Sequence, residues 1–134
     1  MIIEGPHYGT EAWDAFRCGK VTASRFADAM TKGRGGFGVG KTAESYMFEV
    51  VASAITGKLP SGGRSAAMDR GKDMEQDAIT RYETMRMVDV GPGRILQRAG
   101  TIICATPDGF VDDDPEGPGI IEVKCPNSST HLKT

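Results

Sequence analysis

The stretch from Cys104 to Pro126, CATPDGFVDDDPEGPGIIEVKCP, limits what this chain can fold into more than any other. Both ends are apolar and strand-like, whereas Asp112 to Gly119 consists of Asp, Pro, Gly and Glu. Such residues suit a reversal and not the interior of a sheet. The stretch therefore predicts a β-hairpin with a long acidic loop. Asp108 lies near the end of the first strand, between Pro107 and Gly109. Glu122 follows 14 positions later, with Lys124 two residues beyond it. Along a second strand over Ile120–Cys125, Ile121 and Val123 share one face while Glu122 and Lys124 share the other. An ordinary half-buried strand shows the same alternation, with its charges in water. A second carboxylate at the end of the partner strand adds a chemical reading. Two carboxylates can hold a hard cation such as Mg²⁺, and an ammonium beside them can orient an attacking water and offset developing charge. That is the equipment of metal-assisted phosphodiester hydrolysis.

The helix predicted over Ser65 to Met85 or Arg86 carries an apolar stripe at Met68, Gly71, Ala78, Ile79 and Tyr82. Glu75 interrupts it. A carboxylate in a buried stripe is costly unless it is paired or bound to a cation, and the plain alternative is an exposed stripe edge.

Pro107-Asp108 followed by Glu122-Val123-Lys124 matches the PD-(D/E)XK nuclease signature, a short pattern common by chance. The longer strings TPDGF and IIEVKCP are more specific, and they resemble the YqaJ-like viral recombinase family, which includes lambda-type exonuclease. The resemblance runs from Trp13 to Pro126. It implies a restriction-endonuclease-like core and a Mg²⁺-dependent deoxyribonuclease, with Mn²⁺ able to substitute. Asp108 and Glu122, with the Val123 carbonyl, would hold the metal, and Lys124 would position or activate the nucleophile. The string from Gly71 to Ala78 is similar to the family's G…E..A motif, which places Glu75 at the active site, acting through a second metal or a bound water. Trp13, Arg17, Gly19 and Thr22-Ala23-Ser24 resemble the family's N-terminal motif. By that likeness Arg17 and Ser24 seat a terminal 5′-phosphate, and Thr106 supplies a hydroxyl before the Pro-Asp-Gly. The implied partners are double-stranded DNA, a single-strand annealing protein and further copies of the chain. Family members continue with a glutamine-bearing helix and further strands, so the chain is expected to be C-terminally truncated, a fragment or a shortened relative completed by another chain.

At 134 residues the chain is expected to form a single domain over residues 1–134. No apolar run is long enough to span a bilayer, and the N-terminus lacks a basic-then-apolar signal segment. Cys18, Cys104 and Cys125 are an odd number without a CxxC pair, which points to reduced thiols and a cytoplasmic setting. His7 and His131 make no zinc pattern. The net charge of −2 argues mildly against nucleic acid, but residues 17–41 carry an excess of five positive charges. A basic flank beside an acidic metal site suits a nuclease, although a charge run is usually a solvated face.

Taken in order, Met1 to Gly9 is expected to be an arm, and Thr10 to cap a helix ending near Cys18. Another helix is expected over Ser24–Lys32, capped by Thr22 or Ser24, with Phe26, Ala27 and Met30 inward. Its start, with hydroxyls and a nearby arginine, is a candidate anion site or a routine cap. Gly35 to Thr42 spells a Walker A string, GGFGVGKT. A P-loop requires a buried strand in front of it, and a helix is expected there, so the segment is expected to be a flexible connection. A P-loop nucleotide-binding protein and a catalytically incomplete DNA-binding or assembly module are the competing function classes. The helix over Thr42–Ile55 should bury Ala43, Met47, Val50, Val51, Ala54 and Ile55, with Thr42 as cap and Gly57 as stop. Strands are expected over Val88–Val90, Arg94–Gln97 and Thr101–Ala105, with a turn at Gly91–Gly93. Asp112–Asp114 lack EF-hand spacing and are expected to form a solvated turn. Helices followed by meandering strands give an α/β or α+β fold with a central mixed β-sheet flanked by helices.

Overall fold

The computed structural model describes residues 1–60 and 66–125, with the backbone alone for 66–69. Along the chain run β1 (Ile2–His7), α1 (Glu11–Arg17), β2 (Val21–Thr22), α2 (Phe26–Ala29), α3 (Lys41–Thr56), α4 (Ala66–Arg86), β3 (Gly91–Pro92), β4 (Arg94–Arg98), β5 (Ile103–Ala105), β6 (Gly109–Val111) and β7 (Gly119–Ile121). The chain divides into two compact units. One comprises Met1–Ser61 and Gly93–Thr106, the other Gly62–Pro92 and Pro107–Thr134. A mixed α/β fold with helices and a mixed sheet is present, as expected, and the described strands form one sheet in each unit.

In the first unit the sheet order is β1-β4-β5-β2, with β2 parallel to β5 and the other pairs antiparallel. The N-terminal segment is thus a strand and not the expected arm. Its pairing with β4 shifts register between Glu4 and His7, where Gly5 and Pro6 stand. A proline lacking an N–H is tolerated on such an edge strand, which is why the segment looks like loop in sequence. Thr10 caps α1 as expected, accepting from the Trp13 amide at 3.1 Å. Ile95 and Cys104 lie buried in the sheet and Ala43, Tyr46 and Ser53 on α3.

The helix expected over 24–32 is instead a 3-10 turn, Ala23–Arg25, followed by the single turn α2. Thr22 stands at the cap position without a side-chain cap bond. Phe26 and Met30 are 44% and 60% exposed rather than inward, because the chain leaves the helix at Met30. It then reverses through a Lys32↔Val39 bridge and a bond from the Gly40 amide to the Thr31 carbonyl at 2.9 Å. A Cβ at Gly40 would stand 2.6 Å from the Lys32 carbonyl oxygen, so the reversal needs glycine there. Gly40, not Thr42, is the N-cap of α3. No sheet strand leads into the Walker A string; α2 precedes it and the reversal runs through it, so the strand that a P-loop requires is not in front of it.

α3 ends at Gly57, in the left-handed conformation, as expected. Its buried face differs from the expected stripe. Met47, Val51 and Ile55 are exposed, while Tyr46 and Ser53 are buried. The reason is polar. The Ser53 hydroxyl accepts from the Gly19 amide at 2.9 Å, and the Tyr46 hydroxyl accepts from the Thr22 amide at 3.1 Å. Backbone donors leaving α1 and β2 need acceptors once they are removed from water, and these two side chains supply them.

In the second unit α4 spans nearly the expected residues, and its described inward positions match the stripe: Ile79 is buried, and Gly71, Glu75, Ala78 and Tyr82 are half-buried. The sheet order is β3-β6-β7, all antiparallel. The expected strand over Val88–Val90 and turn at Gly91–Gly93 are displaced: Val88 is a buried non-strand residue, and Gly91–Pro92 is the strand. The hairpin forms with Gly109 opposite Ile121 and Val111 opposite Gly119. Its second strand is shorter than expected, ending at Ile121. The acidic loop is only partly a solvated turn. Asp112 and Asp113 are exposed, but Asp114 Oδ1 accepts from the Glu116 amide at 2.9 Å and Oδ2 pairs with Arg86 at 3.3 Å. These contacts hold the Asp114 carboxyl below its ordinary range, the backbone bond most of all. The expected loop residues 61–64, Ser65, the Met68 side chain and everything from Pro126 onward, His131 included, lie outside the described residues.

Candidate active site

The sequence-predicted residues fall into two groups, one in each unit. Glu75, Asp108, Glu122, Val123 and Lys124 belong to the second unit; Arg17, Ser24 and Thr106 belong to the first.

In the second unit the hairpin sets the geometry. Pro107 lacks an N–H and ends the run from β5, so Asp108 opens a new pairing. Its amide donates to the Ile121 carbonyl at 3.0 Å, and its Oδ2 accepts from the Val123 amide at 2.6 Å. The carboxylate is thereby fixed against the segment bearing Glu122 and Lys124. Gly109 permits this, since a Cβ there would lie 2.4 Å from Val90 Cγ1. Beyond β7 the alternation persists: Val123 is half-buried, Glu122 and Lys124 are exposed, and the Lys124 ammonium pairs with Glu122 Oε1. That pairing, helped by the charges of Asp108 and Glu75, raises the Lys124 pKa, so the group is held as an ammonium.

Glu75 reaches the same neighbourhood from α4. Burial raises its pKa most, and the negative charge of Asp108 adds to this, followed by that of Glu122; Lys72 and Lys124 oppose both. A half-buried carboxylate whose charge is disfavoured by two neighbouring carboxylates suits a nearby bound cation. Among the described residues no group of three His, Cys, Asp or Glu side chains is close enough to cage an ion unaided. One Asp108 oxygen is engaged by the Val123 amide and Glu122 is drawn to Lys124. Mg²⁺ does not require such a cage, because it keeps several waters and binds through one or two carboxylates and substrate phosphates. The donor set fits a hard divalent ion.

In the first unit, β2 and β5 run parallel with Thr22 opposite Cys104. Ser24 therefore follows the end of one strand and Thr106 the end of its neighbour. The Trp13 indole links two predicted residues: its Nε1 donates to Thr106 Oγ1 at 3.0 Å, and the Arg17 guanidinium lies 4.2 Å from its ring centroid. Ser24 Oγ lies 3.2 Å from Thr22 Oγ1. Among the described residues Arg17 makes no ion pair. Arg25, by contrast, is tied to Asp28 at 2.5 Å and Glu49 at 3.1 Å. Sequence reasoning missed the Trp13 indole bond, although Trp13 and Arg17 stand four apart on one helix face. It also missed Tyr46, because the stripe expected on α3 holds no aromatic residue.

The YqaJ-like viral recombinase domain matches residues 12–134. The chain belongs to that family. Its fold is similar to a crystal structure of an alkaline exonuclease, LHK-Exo, from Laribacter hongkongensis, with a TM-score of 0.71 and 38% identity over 93% of this chain. A crystal structure of LHK-Exo in complex with dAMP is similar at a TM-score of 0.73, again 38% identical over 93% of this chain. The chain spans 58% of the length of these exonuclease chains. No curated protein sequence matches it. Among the described residues no helix is long and apolar enough to cross a membrane.

Proposed function

We propose that this YqaJ-family chain is a Mg²⁺-dependent deoxyribonuclease, with Mn²⁺ able to substitute, that digests double-stranded DNA from its ends and prefers a 5′-phosphate. Its two units form one nuclease domain. The observation that carries this reading is the shared electrostatic neighbourhood of Glu75, Asp108, Glu122 and Lys124. Asp108, Glu122 and the Val123 carbonyl hold the metal, which supplies a Lewis acid and a more acidic bound water. Glu75 assists through a second ion or a bound water. Lys124, an ammonium beside Glu122, offsets the charge that develops on the scissile phosphate and orients the attacking water. Arg17, Ser24 and Thr106 seat the terminal phosphate. The complex of LHK-Exo with dAMP, a single nucleotide, supports the release of nucleotides by this chain. The setting is phage-type recombination in a bacterial cytoplasm, with a single-strand annealing protein as partner and self-association of the chain.

The test is digestion of end-labelled duplex DNA with Mg²⁺ and with chelator. Metal-dependent release of nucleotides, faster from 5′-phosphate than from 5′-hydroxyl ends, is the expected result. DNA binding without cleavage in Mg²⁺ would make the chain a binding or assembly module. Binding of ATP lost in Lys41→Ala would reinstate the nucleotide-binding alternative.

A further inference from the structure

The hydroxyl of Ser24 is the last member of a chain of three. Tyr46, on α3, is only 6% exposed, and a buried phenol requires partners. Its oxygen accepts from the Thr22 amide at 3.1 Å and lies 3.5 Å from Thr22 Oγ1. Thr22 Oγ1 in turn lies 3.2 Å from Ser24 Oγ. Tyr46 is buried, Thr22 half-buried and Ser24 exposed, so the row of hydroxyls leads outward. Each hydroxyl has one proton to give. Either oxygen of each pair can be the donor. In the outward arrangement Tyr46 gives its proton to Thr22 Oγ1 and Thr22 gives its own to Ser24 Oγ, which leaves the Ser24 proton for a ligand.

The phenol is itself fixed. The Arg25 guanidinium lies 4.4 Å from the Tyr46 ring centroid and is tied to Asp28 and Glu49. Arg25 is therefore engaged in holding the ring, and its two carboxylate partners leave it poorly placed to bind a ligand anion.

From this we infer that Tyr46 is a positioning residue for the end-recognition site, setting the row Tyr46–Thr22–Ser24 so that Ser24 presents a hydrogen-bond donor to a terminal phosphate. The inference rests on the proposed 5′-phosphate site and goes beyond it by naming what orients that site. Successive hydroxyls polarise one another, so the outermost proton is a better donor than that of an isolated serine. A free serine hydroxyl rotates and donates or accepts with little preference; in the outward arrangement this one donates, which suits an anion with no proton to offer.

The experiment compares the affinity of the full chain for 5′-phosphorylated and 5′-hydroxyl blunt duplex DNA, by fluorescence anisotropy in Ca²⁺. The wild type should prefer the phosphorylated duplex, and Ser24→Ala should lower that preference. Tyr46→Phe, which keeps the ring and removes the hydroxyl, should lower it by about fivefold, the worth of one neutral hydrogen bond. In a Ser24→Ala background Tyr46→Phe should have no further effect on the ratio. Thr22→Val, which cuts the row while leaving Tyr46 intact, should reproduce the loss and serves if Tyr46→Phe does not fold. If Ser24→Ala lowers the preference but Tyr46→Phe and Thr22→Val do not, the row is structural only and the inference falls while the phosphate site stands. Equal weakening of both duplexes by Tyr46→Phe would likewise make the row structural only. Absence of any preference in the wild type removes the phosphate site and the inference together.

Discussion

Lys124 shows how one side chain's surroundings decide its chemistry. It is exposed, which in isolation describes an ordinary surface lysine. Its partner is Glu122, however, and the charges of Asp108 and Glu75 reach it too. In the proposed role such a group is a fixed positive charge, more useful to a transition state than to substrate binding. Lys124→Ala should lower single-turnover cleavage by about a hundredfold while DNA affinity in Ca²⁺ changes little. Arginine should not rescue it, because a planar guanidinium does not fill the place of a compact ammonium. A loss confined to affinity would make Lys124 a clamp on the DNA backbone. Cys104 is the contrasting case. It is 2% exposed, and burial raises its thiol pKa above the ordinary value near 9, against the opposing charges of Arg17 and Lys20. The folded state thus holds that proton more tightly than the unfolded chain does. This contribution to stability is complete below pH 9 and is lost as pH rises through the folded value. Iodoacetamide at about pH 8 should label half-buried Cys18 and Cys125 and spare Cys104 until the protein is unfolded. Early modification of Cys104 would contradict the packing of β5.

At the scale of elements, α4 and the hairpin were legible because their patterns are strong and local. A helical stripe interrupted by Glu75, and an alternating segment after turn residues, each allow few readings. β1 and α2 were not legible. The pairing of β1 with β4 joins residues far apart in sequence, and its Gly5-Pro6 step imitates a loop. At α2 the apolar spacing of Phe26 and Met30 fits a helix, but tertiary contacts of Thr31, Lys32 and Gly40 reverse the chain before Met30 can turn inward. In α3 the period was right and the phase wrong, because hydrogen-bond demand from Gly19 and Thr22 drew Ser53 and Tyr46 inside. Ser53→Ala should therefore destabilise the protein by about 1–3 kcal/mol in thermal or urea denaturation, since the Gly19 amide loses its acceptor. A cost near zero would show that water replaces the hydroxyl.

Across the whole molecule, the carboxylate cluster and the Arg17–Trp13–Thr106 group belong to different compact units, with the chain crossing between them at Thr106 and Pro107. The motifs for both were visible in sequence; their assignment to separate units was not, since at 134 residues a single domain is expected and nothing in the residues around Thr106 and Pro107 marks a boundary between units. Chemistry and end recognition should consequently separate under mutation. Arg17→Ala should erase the preference for 5′-phosphate ends and leave Mn²⁺ binding, measured by calorimetry, as in the wild type. Loss of metal binding in that variant would mean the two groups are not independent. The central claim is that Asp108 and Glu122 hold the ion that makes cleavage possible, and it is tested most directly by single-turnover cleavage of duplex DNA across a Mg²⁺ titration. The wild type should cleave only with metal, and Asp108→Ala and Glu122→Ala should each lose both cleavage and its dependence on Mg²⁺. Either variant cleaving at the wild-type rate with the wild-type metal dependence would contradict that claim.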